Sequence, residues 1–142
     1  MTEAWVRVDG REVGRIGRGL LVLLGVARED AEQDADQLAE KVVNLRVFAD
    51  DAGHMNRSLL DVRGELLVVS QFTLLGDARR GRRPSFVQAA APETAQRLYR
   101  RFIDQAGASG LRIAEGVFQA MMDVGLINEG PVTILLDSGR VF

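Results

Sequence analysis

The chain has 142 residues, the length of one domain, and 46% of them are hydrophobic and 27% charged, which is typical of a soluble globular protein. No apolar run approaches the ~20 residues of a membrane span, and the N-terminal MTEAWVRVDG does not resemble a signal peptide, so we expect a cytoplasmic protein with no membrane partner. The net charge of −2 excludes a polycation that binds nucleic acid with its whole surface, and the absence of cysteine excludes disulfides, thiol nucleophiles and cysteine zinc sites.

The first half of the chain predicts three strands and a helix. The Asp9-Gly10 step between two apolar stretches is a strong β-hairpin signal. The glycine-bounded run at 19–26, GLLVLLGV, predicts a strand that is buried on both faces. A helix is expected from Asp30, with Gln33 three residues later as in a capping box, and its acidic side chains form the solvated face.

The second half predicts several strands and one more helix. A strand is expected over residues 65–74, and a helix with an apolar stripe begins near Pro92. Short strands are expected at 111–114 and 118–127, and the closing NEGPVTILLD is expected to form a turn and a strand. About six to eight strands and two helices, with little alternation, predict an α+β fold: a mixed β-sheet or partly closed β-barrel with two helices packed outside, in a single domain over residues 1–142.

The residues suited to catalysis are few. His54 is the only histidine and lies in the turn-like segment DDAGHMN. A solvated loop histidine is therefore favoured over a member of a Ser-His-Asp triad. If the chain is an enzyme, we expect its chemistry to proceed without metal, cofactor, thiolate or imidazole.

The strand at VVSQFTLLG, residues 68–76, interrupts its apolar pattern with Ser70 and Gln71. Buried polar side chains must be hydrogen-bonded, because an unsatisfied group costs ~1–3 kcal/mol. Two interpretations remain open. The pair bonds to a neighbouring loop and does nothing more, or the strand emerges at a pocket and offers hydroxyls and backbone N–H groups to a ligand.

The segment GDARRGRRPSF concentrates positive charge in Arg79, Arg80, Arg82 and Arg83. Guanidinium groups this close repel one another unless anions lie among them, and their bidentate geometry suits phosphate. Such a cluster fits an RNA backbone. An ordinary surface loop, or a loop that docks an acidic partner protein, also explains the composition.

The segment NEGPVT places Gly130 directly before Pro131. A Gly-Pro step before a strand most often marks a simple turn. It can also be a cis peptide bond, which costs only ~0.5–1 kcal/mol before proline. The sequence alone leaves both possibilities open.

Together these segments resemble one family, the D-aminoacyl-tRNA deacylases, which are homodimeric enzymes that clear D-amino acids from mischarged tRNA. SQFTL at residues 70–74 and GPVT at residues 130–133 are similar to the two defining motifs of that family. GLLVLLGV, RGRRPSF and NEGPVT follow the order of the family and about its spacing. The resemblance extends from about Ala4 to Asp137, nearly the whole chain.

The resemblance implies a site shared between two subunits. The pocket for the aminoacyl group and the terminal adenosine of tRNA would be formed by the catalytic residues Ser70, Gln71, Phe72 and Thr73. Two backbone carbonyls of a Gly-cisPro motif, inserted from the partner subunit, would exclude L-amino acids, while D-aminoacyl-tRNA and glycyl-tRNA mischarged on tRNA-Ala are admitted. The motif consists of Gly130 and Pro131. The other implied contacts with the substrate are Phe118, Met122, Ser85 and Phe86, and the implied contacts with tRNA are Arg79, Arg80, Arg82 and Arg83.

The implied chemistry needs no metal. Ester hydrolysis requires a poised water and stabilisation of the developing oxyanion, which backbone N–H groups supply. The resemblance attributes catalysis mainly to main-chain contacts and the 2′-hydroxyl of tRNA, and we expect Thr73 to position rather than attack, because no base is evident beside it.

The N-terminus departs from the family pattern. Family members usually begin with a further strand whose arginine helps to hold the Gly-Pro loop, whereas here Met1 leads almost directly into the end of that region. Either the chain is naturally shorter or its true start lies further upstream. If those residues are absent, we expect the fold to survive, and the support of the Gly-Pro loop, the activity and the dimer stability to be weaker. The alternative function is a non-catalytic module that binds the acceptor end of tRNA.

Overall fold

The computed structural model describes residues 1–142, which form eight strands, two α-helices and one short 3₁₀ helix at Phe72–Leu75. The strands are β1 (Glu3–Val8), β2 (Arg11–Ile16), β3 (Gly19–Leu24), β4 (Phe48–Ala49), β5 (Met55–Arg57), β6 (Glu65–Ser70), β7 (Ile113–Glu115) and β8 (Asp123–Ile127). The helices are α1 (Glu32–Asn44) and α2 (Pro92–Gly107). This is the α+β fold that the sequence predicts.

Two three-stranded sheets position the rest of the molecule. One is antiparallel, in the order β2-β1-β8, and the other is parallel, in the order β3-β6-β7. β3 and β6 pair in register from Gly19↔Glu65 to Leu24↔Ser70, so both strands end at the same edge of the sheet. β4 and β5 form a separate two-stranded ribbon.

The core lies on both sides of β6. Leu66 and Val68 belong to the larger cluster, which contains the three buried residues of α1 and most of those of α2. Leu67 and Val69 belong to the smaller cluster, which contains buried residues of β1 and β2. All four side chains are 0–1% exposed. β6 is therefore the central strand, buried on both faces between the helices and the antiparallel sheet.

Two predicted elements and the predicted position of His54 are confirmed. The β1–β2 hairpin turns at Asp9 and Gly10, whose φ angles of 51° and 75° lie in the left-handed region that a tight two-residue turn requires. α2 begins at Pro92 and its apolar stripe is buried, as the spacing predicts. His54 lies in an exposed turn rather than in a catalytic arrangement.

The predicted burial of GLLVLLGV on both faces is wrong. Leu23 is 43% exposed and the strand is only partly buried between its two ends. The physical reason is its position, since β3 is an edge strand of the parallel sheet with β6 as its only neighbour.

The predicted start of α1 is also displaced. The helix begins at Glu32, and the Asp30 carboxylate accepts a hydrogen bond from the N–H of Ala27 at 2.7 Å, so it is unavailable to cap the helix. Asp34, rather than Gln33, accepts from the N–H of Ala31 at 2.8 Å. Partial burial raises the pKa of Asp30.

Two predicted strands end earlier or do not form. The strand expected over 65–74 ends at Ser70. The N–H of Gln71 makes the last hydrogen bond to β3, at the carbonyl of Leu24, and β3 itself ends there, so residues after Gln71 have no strand to pair with. The closing segment 128–142 contains a turn but no strand, since its only backbone–backbone hydrogen bond, from the N–H of Arg140 to the carbonyl of Asp137, is local. The two short strands are confirmed as β7, which begins two residues later and ends one residue later than predicted, and β8, which covers only the second half of the predicted range.

β8 is held to β1 by a close approach of an aromatic ring. Trp5 lies directly against Gly125, where a Cβ atom would overlap the indole. The guanidinium carbon of Arg15 lies 5.0 Å from the ring centroid and that of Arg7 lies 6.0 Å from it. Glycine at position 125 is therefore a packing requirement.

None of the helices is long and apolar enough to cross a membrane.

Candidate active site

The segment Ser70–Thr73 lies at the carboxyl end of the central strand. Ser70 closes β6, and the N–H of Gln71 donates to the carbonyl of Leu24 at 2.8 Å before the chain turns into the 3₁₀ helix. The side chains of Ser70 and Gln71 are only half-buried, so the expectation of a buried polar pair within a strand is corrected. Phe72 is 55% exposed and Thr73 is exposed. The segment therefore faces solvent at the sheet edge.

The 3₁₀ helix is held close to the end of β3 by the absence of a side chain at Gly25. A Cβ atom there would lie 2.7 Å from Leu75 Cδ2 and 3.2 Å from the carbonyl oxygen of Gln71. The N–H of Gly76 donates to the carbonyl of Thr73 at 3.0 Å and ends the turn. Glycine at position 25 thus fixes where the Thr73 side chain emerges.

The hydroxyl of Thr73 has an amide neighbour and no base. Gln71 Nε2 donates a hydrogen bond to Thr73 Oγ1. A side-chain amide does not accept a proton at neutral pH, so this partner orients the hydroxyl but does not activate it as a nucleophile.

The arginine-rich segment forms a closed loop beside this turn. Asp77 and Ser85 exchange two backbone hydrogen bonds of 2.8 and 2.9 Å, which close the loop over residues 78–84. The ring of Phe86 meets that of Phe72 edge-on, with centroids 5.1 Å apart. The structure therefore brings the arginine loop, Ser85 and Phe86 next to the Ser70–Thr73 segment.

Asp77 is a residue that the sequence analysis missed. Its carboxylate accepts from Arg79 Nε at 2.9 Å, from Arg79 Nη2 at 2.7 Å and from the Arg79 N–H at 3.0 Å. The hydrogen bond from the guanidinium, followed by that from the backbone, lowers the pKa of Asp77 to about 2, and the same pairing raises the pKa of Arg79. The short spacing GDAR, typical of an Asx turn, is the signal that could have indicated it.

Phe118 and Met122 lie in the segment between β7 and β8. Phe118 packs against the larger core cluster, with its ring centroid 5.9 Å from that of Tyr99. Met122 packs against the smaller cluster, and its sulfur accepts the N–H of Val117 at 3.4 Å. Both residues are half-buried and support the end of β6 from opposite sides.

Tyr99 ties this region to the helices. Its hydroxyl donates to the carbonyl of Val68 at 3.0 Å, and the N–H of Gly116 donates to the same oxygen at 3.0 Å. Burial, followed by the nearby carboxylate of Glu115, raises the pKa of Tyr99 to about 12. The tyrosine thus stays a neutral donor that anchors β6 two residues before Ser70.

The Gly130–Pro131 loop makes a local set of contacts. Its peptide bond is cis, and the loop is closed by Asn128, which donates to Thr133 Oγ1 at 3.2 Å and accepts the N–H of Val132 at 3.4 Å. The three atoms nearest to a Cβ built on Gly130 all belong to Val132. No hydrogen bond joins this loop to Ser70–Thr73. Within one chain, the two motifs are therefore not hydrogen-bonded to each other.

Two cavities of the chain lie away from this segment. One, of about 30 Å³, lies beneath the start of α1, and the other, of about 270 Å³, lies at the amino end of β6 beside Arg63 and Arg112. Neither is lined by the Ser70–Thr73 segment. No group of three or more His, Cys, Asp or Glu side chains is gathered to hold a metal ion.

Comparison with known proteins gives consistent matches along the chain. The family described as D-Tyr-tRNA(Tyr) deacylase matches residues 1–137. The D-aminoacyl-tRNA deacylase of Caldicellulosiruptor bescii is 56% identical over 140 residues, which cover 99% of this chain and 94% of the relative. That of Roseiflexus castenholzii is 60% identical over 138 residues, which cover 97% of this chain and 88% of the relative.

Two solved structures share the fold. The structure described as c-Myc DNA Unwinding Element Binding Protein is 41% identical, with a TM-score of 0.87 over 94% of this chain and 91% of that one. A probable eukaryotic D-amino acid tRNA deacylase is 18% identical, with a TM-score of 0.75 over 88% of each chain. At that identity the second likeness shows the fold alone.

Proposed function

The chain belongs to the D-Tyr-tRNA(Tyr) deacylase family and hydrolyses D-aminoacyl-tRNA, and we propose that it selects the D-enantiomer with main-chain atoms donated by a second copy of itself. In the reaction, water adds to the ester carbonyl carbon and the bond to the ribose oxygen breaks. A free D-amino acid and tRNA are released, with the proton from water passing to the ribose oxygen. The partner is therefore tRNA aminoacylated at its 3′ end.

The observation that carries the proposal is that the two motifs share no hydrogen bond within one chain, although both reach solvent. Ser70–Thr73 opens to solvent, while the Gly130–Pro131 loop makes hydrogen bonds only within itself. We propose that the loop of one subunit enters the open segment of the other. Its backbone carbonyls then occupy the space that an L side chain would need, and exclusion of this kind rejects a substrate without a reactive group.

A homodimer is further supported by the apolar surface that precedes and follows the loop. Leu126 and Ile127 in β8 are 40% and 50% exposed, and Ile134 and Leu135 are 52% and 65% exposed. Four exposed large apolar side chains on either side of the loop favour an interaction site, and a second copy of the chain is the simplest partner to cover them.

We propose that catalysis depends on positioning and on main-chain donors. Thr73 and Gln71 orient the ester, and backbone N–H groups of the same segment stabilise the oxyanion. The 2′-hydroxyl of the terminal ribose of tRNA assists, as the family resemblance implies. No step is assigned to a metal or to His54.

The remaining substrate contacts follow from the same placement. Ser85 and Phe86, beside Phe72, are proposed to border the terminal adenosine, and Phe118 and Met122 the aminoacyl group. The arginine loop is proposed to bind the phosphates of the acceptor end in the cytoplasm, where tRNA is charged. Glycyl-tRNA, including that mischarged on tRNA-Ala, is a proposed substrate because glycine has no side chain to exclude.

A direct test compares the release of amino acid from D-Tyr-tRNA, L-Tyr-tRNA and glycyl-tRNA by the purified protein. We expect rapid release from the D-ester and from the glycyl ester and none above background from the L-ester. Equal release from both tyrosyl esters would contradict the proposed selection. Binding without release from any ester would instead support the non-catalytic alternative, which family membership already disfavours.

Complementation tests the shared site. In each proposed site, Gln71 comes from one subunit and Gly130 from the other. Gln71→Ala and Gly130→Ala are therefore expected to inactivate the parts that different subunits contribute. When both variants are co-expressed, random pairing makes about half of the dimers mixed, and each mixed dimer holds one intact site, so about a quarter of wild-type activity should return. Failure to recover activity from verified mixed dimers would show that each site lies within one chain.

A further inference from the structure

The four arginines of the loop at 77–85 are not equivalent. The loop is closed by the backbone bonds between Asp77 and Ser85, and Gly81, at φ +68°, turns the chain midway. Arg79 precedes this turn by two residues and is the member nearest to Asp77 in sequence. The loop geometry therefore gives one arginine a neighbour that the others lack.

Arg79 is held by the carboxylate of Asp77 through three hydrogen bonds. Two join the guanidinium to both carboxylate oxygens, in the bidentate geometry that is strongest for this pair, and one comes from the Arg79 backbone N–H. Because only one residue separates the partners, little chain freedom is lost when they meet. With its pKa at about 2, Asp77 stays ionised under all conditions in which tRNA is handled.

The other three arginines have no such partner. The ion pairs and side-chain hydrogen bonds of the structure include none made by Arg80, Arg82 or Arg83, and all three side chains are exposed. The loop thus carries one neutral pair and three unpaired cations.

We propose that Asp77 withholds Arg79 from the tRNA backbone, so that the loop binds phosphate with three cations rather than four. The inference rests on the proposed function of the loop in tRNA binding. A phosphate that takes the Nε and Nη2 donors of Arg79 must displace a carboxylate already in place, so that one anion replaces another. A phosphate that approaches the remaining donors of this side chain, which is 87% exposed, meets a charge that Asp77 already neutralises, so it also gains little. Asp77 is therefore a positioning residue that sets the charge presented to RNA.

Attenuated phosphate contact suits an enzyme that releases tRNA after each turnover. The tRNA backbone is the same in substrate and product, so each added phosphate contact binds both equally and does not lower the barrier to hydrolysis. Limiting the cations to three restricts this uniform binding and favours product release.

The salt dependence of tRNA binding tests the proposal. The dissociation constant of fluorescein-labelled deacylated tRNA is measured between about 50 and 200 mM salt, where each phosphate contact adds ~0.7–0.9 to the slope of log affinity against log salt. Arg80→Ala should lower the slope by that amount. The double variant Asp77→Asn/Arg79→Ala deletes a neutral pair and should leave slope and affinity as in the wild type.

Asp77→Asn alone tests the same idea from the opposite direction. The asparagine oxygen still accepts the backbone N–H at residue 79 and the loop closure is untouched, but Arg79 becomes free. We expect the slope to steepen by ~0.7–0.9 and the affinity to rise about fivefold near 0.1 M salt. Asp51→Asn is the matched control, since Asp51 also pairs with an arginine, Arg57 at 3.0 Å, but outside the loop. It should change neither quantity.

The outcomes separate the inference from the function on which it rests. If the double variant loses as much slope as Arg80→Ala, or if Asp77→Asn does not steepen it, Arg79 already contacts phosphate and the inference is wrong, while tRNA binding by the loop stands. If replacing Arg80, Arg82 and Arg83 together by alanine leaves the slope unchanged, the proposed role of the loop fails.

Discussion

β6 and β8 have similar apolar composition and opposite surroundings. In β6 the residues 66–69 are 0–1% exposed, because the strand lies between β3 and β7 and is covered on both faces. In β8, Val124, Leu126 and Ile127 are 37–50% exposed, because the strand lies at an edge with β1 as its only neighbour. An uncovered apolar edge strand is a site for pairing or docking. The comparison indicates that β6 stabilises the chain itself, whereas β8 serves the proposed second copy.

The largest effect is expected from truncating matched leucines in the two strands. Leu66→Ala in β6 removes a fully buried side chain and should lower the free energy of unfolding by ~2–5 kcal/mol. Leu126→Ala in β8 should lower the free energy of unfolding by well under half as much, when it is measured at a concentration low enough to keep the chain monomeric. Urea titration monitored by circular dichroism measures both. Equal losses would show that β8 contributes to the core of one chain as much as β6 does.

The next effect concerns the loop that follows β8. Gly130 has φ +134°, which L side chains rarely adopt, so Gly130→Ala should distort the loop and lower the rate of D-Tyr-tRNA hydrolysis by more than about tenfold. Gly53→Ala is a matched control, since Gly53 has φ +83° in an exposed turn far from either motif. The control should lose some stability but keep its rate. Comparable loss of activity in both variants would remove the special role of the loop.

A smaller effect is expected where α2 meets β6. Tyr99→Phe removes the hydrogen bond to the carbonyl of Val68, and that oxygen keeps the N–H of Gly116 as a donor. The loss should therefore be limited to ~0.5–1.5 kcal/mol in the free energy of unfolding. Thermal melts at matched concentration measure it. A loss as large as that of Leu66→Ala would mean that the hydroxyl, rather than packing, holds β6 in place.

The smallest effect is expected on the outer surface of the helices that cover β6. Arg101 donates to both carboxylate oxygens of Asp36 at 2.7 and 3.0 Å, and this hydrogen bonding lowers the pKa of Asp36 below 3.8. A lowered folded-state pKa means that the stabilisation is present above the unfolded value and is lost as pH falls through the folded one. The melting temperature of Asp36→Asn should thus lie slightly below that of the wild type at neutral pH and converge with it in acid. A constant difference down to low pH would contradict this assignment.

The sequence predicts this fold where the decisive information is local. The period of the apolar residues in α2 and the Asp9-Gly10 turn each specify their element without reference to the rest of the chain. The end of β6 could not be predicted, because FTLL is equally apolar in a strand or in a 3₁₀ helix. What decides is the end of β3 at Leu24, a pairing distant in sequence.

The residues of the candidate site also fall into two groups, those that the sequence reveals and those that only the structure reveals. Ser70 and Gln71 are recognisable because they break an apolar pattern, and the arginine loop because of its charge. The pairing of Asp77 with Arg79 depends on the conformation of a closed loop and is therefore visible only in three dimensions. The absence of a hydrogen bond between the Gly130–Pro131 loop and Ser70–Thr73 is likewise visible only in the tertiary structure, since sequence order does not predict it.

The packing of Trp5 on Gly125 has a practical consequence. Trp5 is the only tryptophan of the chain, and it lies on β1 against the strand proposed to face a second copy. Its fluorescence therefore supplies an intrinsic, label-free optical reporter at that boundary. Emission wavelength and quenching by dissolved iodide would follow subunit association during a dilution series without any chemical modification of the protein.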